Sequence, residues 1–349
     1  MGVNELERID SLSKVEALKP QTGREYFAAE HAEISAGATT DIYFIKTIDI
    51  LRHLGKENTV VTAEIFARKS GVFCGLPEAM NLLKDSNVEV WALPEGERFE
   101  PKEVLMRIRG PYAEFGVLEA PLLGILASST GWATAAREAA EAADGSPCTV
   151  FGARHVHPAV APVMERSALV GGIDSASCVL GALAAGREPV GTAPHALILI
   201  VGDTVEATLA YDECMPESSA RLVVVDTFRD EAEEAVRVAK AMGGRLYGVR
   251  LDTASELGGV TPELVQRVRK ALDDAGYPEV LIFVSGGLTP ERIRSLKAAG
   301  AAAFGVGSFI SGASAIDMTM DLKEVDGKPI AKRGRIPGAI ANPRLKQMK

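Results

Sequence analysis

Cysteine is scarce in this sequence. The 349 residues include four cysteines, Cys74, Cys148, Cys178 and Cys214, with no CxxC pair and no Cys/His spacing typical of zinc. Sparse, scattered cysteines exclude a disulfide framework and favour a reducing compartment, so we expect a cytoplasmic protein. We also expect each cysteine to pack as a small buried hydrophobe.

Positive charge and long apolar runs are also in short supply. The sequence has 38 Lys and Arg against 47 Asp and Glu, a net charge of −9, which argues against binding to nucleic acid. The best apolar run, Ala196–Val201, is far shorter than the ~20 residues of a membrane-spanning helix. The first ten residues are polar and acidic, which predicts no signal peptide. The composition, with 47% hydrophobic and 24% charged residues, is typical of a globular protein.

The first part of the chain has mixed patterns. We expect short helices near Ile48–Leu54 and Glu78–Leu83, and a strand pair at Val88–Leu93 and Val104–Gly110. The alanine-rich stretch Ala127–Ala143 predicts a long helix, because its helix propensity is high and it contains no proline.

A strand–helix rhythm follows. Apolar runs of strand length lie at Ala196–Val201, Leu222–Asp226, Leu246–Leu251, Val280–Ser285 and Ala302–Val306. Helical patterns lie between the later runs, at Asp230–Met242, Thr261–Ala275 and Pro290–Ala299. Continuous apolar strands indicate burial on both faces, so we expect a parallel α/β sheet. A β/α barrel and an open doubly wound sheet both fit this pattern.

Polar or glycine-rich residues follow the last four of these runs. They are Asp226-Thr227, Asp252-Thr253, Ser285-Gly286-Gly287 and Gly307-Ser308. Because the active site of a β/α barrel gathers at the carboxyl ends of its strands, we expect these residues to meet at one place.

Two of these segments are rich in glycine. They contribute Ser285, Gly286 and Gly287 from SGGL at 285–288, and Gly305, Gly307 and Ser308 from GVGS at 305–308. Glycines let the backbone approach an anion, and exposed backbone N–H groups bind it. Two such loops after adjacent late strands predict a site for a phosphate monoester.

Two carboxylates and an arginine complete the predicted strand ends. Asp226 and Asp252 are candidates for Mg²⁺ or for ribose hydroxyls, since Mg²⁺ takes one or two carboxylates and completes its shell with substrate phosphates. Alternatively, these aspartates cap the loops that follow them. Arg250 lies on the same side of its strand as Asp252, and either reaches the site or forms a buried ion pair.

Histidines and an arginine lie in two further segments. In FGARHVHP, at 151–158, Arg154 is a candidate for a diphosphate or carboxylate, whereas the HxH pair lacks a third metal ligand. In GTAPHAL, at 191–197, His195 stands just before an apolar run, with Thr192 nearby. His195 is either a hydrogen-bonded structural residue or a functional one.

These segments together resemble the nicotinate phosphoribosyltransferase family, in particular its shorter archaeal and bacterial branch. The resemblance rests on an ordered series of motifs: TTDIYFIKT (39–47), PEGE (94–97), FGARHVHPAVAPVMERSALVGG (151–172), GTAPHAL (191–197), VVDTFRDE (224–231), VRLDT (249–253), FVSGGL (283–288), FGVGSFIS (304–311) and MDLKEVDGKPIAKRGRIPG (320–338). It implies an N-terminal α/β sandwich domain, residues 1–125, and an incomplete α/β barrel, residues 126–311. Residues 312–349 are expected to return to the first domain, and the active site is expected at a homodimer interface.

The resemblance also implies a reaction. Nicotinate and phosphoribosyl pyrophosphate would give nicotinate mononucleotide and diphosphate, a step of NAD salvage, with Mg²⁺ and with ATP hydrolysis coupled through a phosphohistidine. The pyridine nitrogen has a free lone pair, so the protein needs no general base and acts by positioning the ring and stabilising the leaving diphosphate.

Roles follow position by position from the resemblance. The implied catalytic residues are His195, which becomes phosphorylated, Arg154, near the ring and diphosphate, and Asp252, at the ribose or the metal. Tyr43 is expected to stack near nicotinate, and Thr192 to contact its carboxylate. Gly286, Gly287, Gly307 and Ser308 match the loops that hold the 5-phosphate.

The sequence departs from the family in two respects. Some relatives carry a cysteine-rich zinc module that has no counterpart here, so we expect no structural zinc. Arginines often follow LDT in the family, whereas Ala254–Leu257 stand there in this chain.

Two alternatives stay open. One is a transferase for another pyridine base, nicotinamide or quinolinate, although no additional Arg/Lys cluster provides for the second carboxylate of quinolinate. The other is a catalytically weakened homologue that binds phosphoribosyl ligands as a sensor.

Overall fold

The computed structural model describes residues 7–349. It divides into two compact units. The first combines the residues up to Thr134 with Ser314–Lys349, and the second is Ala135–Ala313.

The strands of the described residues are short, at two to eight residues each. They are β1 Val60–Ala67, β2 Gly71–Val72, β3 Glu89–Ala92, β4 Arg98–Phe99, β5 Val104–Pro111, β6 Cys148–Val150, β7 Ser175–Ala176, β8 Leu222–Val224, β9 Gly248–Leu251, β10 Leu281–Val284, β11 Ala303–Val306, β12 Met318–Val325, β13 Lys328–Pro329 and β14 Lys346–Gln347.

The α-helices range from single turns to one of 25 residues. They are α1 Leu12–Ala17, α2 His31–Ser35, α3 Ile42–His53, α4 Leu76–Leu82, α5 Tyr112–Phe115, α6 Glu119–Ala143, α7 Ala161–Gly171, α8 Val179–Ala184, α9 His195–Val201, α10 Thr204–Cys214, α11 Glu231–Met242, α12 Pro262–Asp274, α13 Pro290–Ala298 and α14 Ser308–Ser311. None of the helices in residues 7–349 is both long and apolar enough to cross a membrane.

The first unit is built on an antiparallel sheet in the order β13-β12-β1-β5-β3-β14. The central strands β1 and β5 bury Ile65 and Ile108 in a core that also takes up Ile48 of α3 and Leu122 of α6. Strands β12 and β14, from the end of the chain, pair with β1 and β3. This sheet therefore combines strands that lie far apart in sequence.

The second unit contains a six-stranded parallel sheet in the order β7-β6-β11-β10-β9-β8. Its strands are largely buried, as the burial of all four residues of β11 illustrates. In the described part of the chain, β7 and β8 each pair on one side only, so they form open edges and the barrel is incomplete. The expected α/β fold, an N-terminal α/β domain with an incomplete parallel barrel, is confirmed.

The later helices begin where their capping residues predict. Thr261 and Thr289 accept hydrogen bonds from the backbone N–H groups of Leu264 and Arg292, and a proline occupies the first turn of both α12 and α13. The strands predicted between these helices are present, each shortened by one or two residues at its ends.

The strand expected at Ala196–Val201 is wrong, because these residues lie in helix α9. Pro194 occupies the N-cap, and Gly202 ends the helix in the left-handed region at φ +91°. Only Ile198 is buried, whereas Ile200 is 83% exposed. Six apolar residues fit a strand and a short helix equally well, and the two flanking residues decide between them. In the parallel sheet the pattern missed β6 and β7, which are too short to show a period, and in the antiparallel sheet it missed β1 and β12.

The expectation for the cysteines holds for two of the four. Cys74 and Cys148 are buried, Cys178 is half-buried, and Cys214 is exposed. Cys214 is the last residue of α10.

Candidate active site

A cavity of about 370 Å³ lies at the carboxyl ends of the parallel strands. The loops after β6, β7, β9, β10 and β11 and the segment before α9 line it. The lining residues are Phe151, Ala153, Arg154, His155, Ser177, Gly191, Thr192, Pro194, His195, Arg250, Asp252, Ser285, Gly286, Gly287, Gly305, Gly307 and Ser308.

The cavity brings together most of the residues that the sequence singled out. Arg154, Thr192, His195, Arg250, Asp252 and all six residues of the two glycine loops line it. Asp226 is not a lining residue, but it lies behind His195 and bonds to it. Tyr43 lies on α3 in the other compact unit, 57% exposed, and its expected place beside the pyridine ring stays a prediction.

Arg250 is the buried cation of the cavity. Its Nη1 donates to Thr192 Oγ1 at 2.7 Å, and its Nη2 lies 3.9 Å from Asp252 Oδ2. Its Nε is buried without a hydrogen-bond partner. Burial lowers the pKa of Arg250, and the neighbouring carboxylates of Asp252 and Asp226 oppose that shift. Arg250 is thus held in place and keeps hydrogen-bonding capacity for a ligand.

His195 and Asp226 form a pair at the side of the cavity. His195 Nε2 lies 3.2 Å from Asp226 Oδ2, and the aspartate side chain is 6% exposed. Burial raises the pKa of Asp226, although its contact with His195 lowers it. The second oxygen, Asp226 Oδ1, is buried without a hydrogen-bond partner. The carboxylate fixes the imidazole and retains one oxygen for a further donor or a cation.

The two glycine loops form a further part of the cavity lining. Ser285 Oγ donates to Asp252 Oδ1 at 2.9 Å, which ties the loop after β10 to the end of β9. Gly286 has φ +91°, a conformation that side-chain-bearing residues rarely adopt. At Gly305, a Cβ would lie 2.4 Å from the ring of Phe151, so only glycine fits. Loops built in this way let the backbone approach an anion, which backbone N–H groups can bind.

The fit of Mg²⁺ rests on two carboxylates. Within residues 7–349, no group of three or more His, Cys, Asp or Glu side chains is placed to hold a metal ion by itself. Burial raises the pKa of Asp226, the nearby Asp252 adds to that shift, and Asp226 Oδ1 lacks a hydrogen-bond partner. Two carboxylates with open oxygens suit Mg²⁺ when substrate phosphates and water complete its shell.

Several lining residues were not predicted from the sequence, among them Ser177, Phe151 and His155. His155 Nδ1 lies 3.1 Å from Ser311 Oγ, and its Nε2 accepts a hydrogen bond from Arg154 Nε at 3.2 Å. A signal was present for His155, which lies in the motif FGARHVHP, whereas Ser177 lies five residues beyond the end of the family motif at 151–172. Only the positions of β6 and β7 in the structure show that these two segments follow strands of the parallel sheet.

Two domain families match this chain in succession. The N-terminal domain of quinolinate phosphoribosyl transferase matches residues 41–130, and its C-terminal domain matches residues 132–321. The chain belongs to the quinolinate phosphoribosyl transferase family. The two matches cover strands β1, β3 and β5 of the antiparallel sheet, the whole parallel sheet and every residue that lines the cavity.

Individual family members are similar over most of the chain. A solved structure of nicotinate-nucleotide pyrophosphorylase from Pyrococcus furiosus has 44% sequence identity and a TM-score of 0.87, covering 90% of this chain and 82% of that one. A nicotinate phosphoribosyltransferase of Mycobacterium tuberculosis is 28% identical over 340 residues, 85% of this chain and 75% of that protein. A second nicotinate phosphoribosyltransferase of the same organism is 31% identical over 268 residues, 74% of this chain and 56% of that protein.

Proposed function

We propose that this protein is a nicotinate phosphoribosyltransferase, which forms nicotinate mononucleotide and diphosphate from nicotinate and phosphoribosyl pyrophosphate. The observation that carries the proposal is Arg250. It is a buried guanidinium with an unpartnered Nε, held by Thr192 beside Asp252 and facing two glycine loops. A cation suits a small anionic ring, a carboxylate suits the hydroxyls of a ribose, and glycine loops suit a phosphate monoester.

The residues divide the work according to their chemistry. The loops at Gly286–Gly287 and Gly307–Ser308 would bind the 5-phosphate through backbone N–H groups. Asp252, fixed by Ser285, would accept hydrogen bonds from the ribose hydroxyls. Arg154 would bind the diphosphate, where negative charge develops as the bond to the anomeric carbon breaks. The nitrogen lone pair of nicotinate attacks that carbon, so no proton has to be removed.

Nicotinate itself is assigned to Thr192 and Arg250 at one wall of the cavity. Their hydrogen bond of 2.7 Å would orient the threonine hydroxyl towards the carboxylate of the substrate. We also propose that Tyr43 stacks near the pyridine ring. The active form would be a homodimer with its sites at the interface.

The expected cofactor and coupling substrate fit the same residues. Mg²⁺ would be held by Asp226 and Asp252, and it would neutralise the charge of the diphosphate. ATP would phosphorylate His195: the γ-phosphorus–oxygen bond breaks, a nitrogen–phosphorus bond forms, and ADP leaves. Asp226, at 3.2 Å from Nε2, would hold the imidazole and its proton during that transfer.

Quinolinate is the second candidate substrate. The description of the family and the nicotinate-nucleotide pyrophosphorylase of known structure favour it. The cavity argues for the monocarboxylate, because among the described lining residues Arg154 and Arg250 are the arginines and there is no lysine. A second substrate carboxylate would require a further cation.

The test is nucleotide formation from each pyridine base. Purified protein is incubated with phosphoribosyl pyrophosphate, Mg²⁺ and nicotinate, nicotinamide or quinolinate, with and without ATP, and nucleotide, diphosphate and CO₂ are measured. We expect nicotinate mononucleotide from nicotinate, no CO₂ from quinolinate, and a stimulation by ATP that His195→Ala abolishes. His157→Ala is the matched control, because His157 is an exposed histidine outside the cavity lining.

Each other outcome points elsewhere. CO₂ release with quinolinate, and no product from nicotinate, would establish the second candidate. Product from nicotinamide alone would move the specificity to the neutral base. Binding of phosphoribosyl pyrophosphate without diphosphate release on any base would indicate a sensor.

A further inference from the structure

Glu165 is a completely buried acid in the middle of helix α7. Its side chain is 0% exposed, and its neighbours on the buried face of the helix include Met164 and Ala168. A buried carboxylate is costly unless its oxygens receive hydrogen bonds. The partners of Glu165 therefore indicate what the residue does.

Three donors reach this carboxylate. Oε1 accepts from the backbone N–H of Ala153 at 3.2 Å and from Ser177 Oγ at 3.2 Å, and Oε2 accepts from the backbone N–H of Cys178 at 2.6 Å. Ala153 belongs to the loop after β6, and Ser177 and Cys178 form the loop after β7. One side chain thus joins two loops that end neighbouring strands.

Both loops belong to the cavity. Ala153, Arg154 and Ser177 line it, and Arg154 follows directly after the amide that Glu165 holds. The space around Glu165 is closed on the side of α8, where a Cβ at Gly181 would lie 3.1 Å from the Cβ of Glu165. A displacement of the carboxylate would change its hydrogen bonds to both loops.

Glu234 of helix α11 offers a direct contrast. It is also 0% exposed and lies in the same unit, but it pairs with Arg237 at 3.1 Å and with Arg229 at 3.5 Å. The donors to Glu165 are neutral, and two of them are backbone amides of cavity loops. Burial raises the pKa of Glu165, and these hydrogen bonds lower it.

We propose that Glu165 is a positioning residue, which sets the spacing of the β6 and β7 loops and thereby holds Arg154 and Ser177 where phosphoribosyl pyrophosphate binds. The inference rests on the proposed function for its substrate. Its structural part, the coupling of the two loops, is independent of which base reacts.

The variant that tests it is Glu165→Gln. Glutamine fills the same volume, but it replaces one acceptor oxygen with an N–H donor that would face the amide of Ala153 or Cys178. Glu234→Gln is the matched control, a second buried glutamate away from the cavity. We expect amide hydrogen exchange at Ala153 and Cys178 to accelerate in Glu165→Gln and to stay unchanged in Glu234→Gln.

Kinetics give the second readout. We expect Glu165→Gln to reduce kcat/KM for phosphoribosyl pyrophosphate by about 10- to 100-fold, because small displacements of a positioned group have effects of that size. We expect Arg154→Ala/Glu165→Gln to be within about twofold of Arg154→Ala alone, since coupled residues are not additive. If Glu165 only stabilised the fold, Glu165→Gln would lower the melting temperature. It would then also reduce kcat/KM by the same factor in the parent protein and in Arg154→Ala.

The outcomes separate this inference from the proposed function. Unchanged exchange in Glu165→Gln, or kinetics equal to those of Glu234→Gln, would overturn the positioning role. If the parent protein forms no product with any base, the proposed function fails. Exchange and the calorimetric affinity for phosphoribosyl pyrophosphate then decide the inference, with a tenfold weaker affinity in Glu165→Gln supporting it and an unchanged affinity refuting it.

Discussion

Two arginines at opposite ends of the parallel sheet differ in how fully their hydrogen bonds are used. Arg221 directly precedes β8, at the amino end of the sheet. It donates to Asp212 Oδ1 at 2.7 Å and to the backbone carbonyls of Asp212, Met215, Pro216 and Ser219. Arg250 lies in β9 towards the carboxyl end, donates to Thr192 Oγ1 and has a buried Nε without a partner.

The difference separates a structural arginine from one prepared for a ligand. The guanidinium of Arg221 is surrounded by acceptors and has little left to offer, and with Arg245 it lowers the pKa of Asp212. Arg250 is buried at a cost that its protein partners offset only in part, as its lowered pKa indicates. A bound anion would supply the missing hydrogen-bond acceptor and the missing negative charge.

The largest expected effect is on activity, in Arg250→Met. This change removes the cation but keeps an unbranched side chain, so we expect kcat/KM to fall by about 10²- to 10³-fold. The melting temperature should change by less than about 3 °C, because the cost of burying the charge disappears together with one hydrogen bond. Steady-state kinetics and thermal unfolding of the same preparation measure both. Activity above a tenth of the parent value would remove Arg250 from the site.

The reverse result is expected for Arg221→Met. Here several hydrogen bonds and the ion pair with Asp212 are lost, and we expect the melting temperature to fall by about 5 °C. The KM for each substrate should remain within about twofold of the parent value, since Arg221 lies at the other end of the strands. If KM rises in this variant while its stability is unchanged, the contrast between the two arginines is wrong.

The smallest expected effect extends the comparison to Glu119, a half-buried acid of the first unit. Burial, assisted by Asp321, raises the pKa of Glu119 from 4.5 to about 7. The folded chain then retains a proton that the unfolded chain loses above about pH 4.5, so Glu119 costs increasing stability as the pH rises from 4.5 to 7. We expect Glu119→Gln to match the parent in melting temperature at pH 4.5 and to exceed it by a few degrees at pH 8. Equal melting temperatures at pH 8 would contradict the raised pKa.

The sequence predicted the strand ends well because each one combines an apolar run with polar or glycine residues. That ground alone predicted Asp252, Ser285 and Gly307 at one site, and all three line the cavity. The helices α11 to α13 were predicted because their caps and apolar period agree. The fold followed from the same rhythm together with the ordered family motifs.

Other features depend on contacts that a linear pattern does not contain. The run Ala196–Val201 could not be assigned by period, and its helix is decided by Pro194 and Gly202. Strands β6 and β7 are three and two residues long, so the sequence did not show that Ser177 follows a strand. Glu165 lies in the family motif at 151–172, but its hydrogen-bond partners lie 12 and 13 residues away in two different loops.

The sheet of the first unit has a consequence for synthesis on the ribosome. Strands β1 and β3 are complete by Ala92, whereas their neighbours β12 and β14 begin at Met318 and Lys346. The whole of the second unit, Ala135–Ala313, is translated in between. The parallel sheet can therefore fold first, while one edge of β1 waits for β12 with unpaired backbone groups. During that interval the nascent chain presents an aggregation-prone edge, and a pause in translation after residue 313 would prolong it.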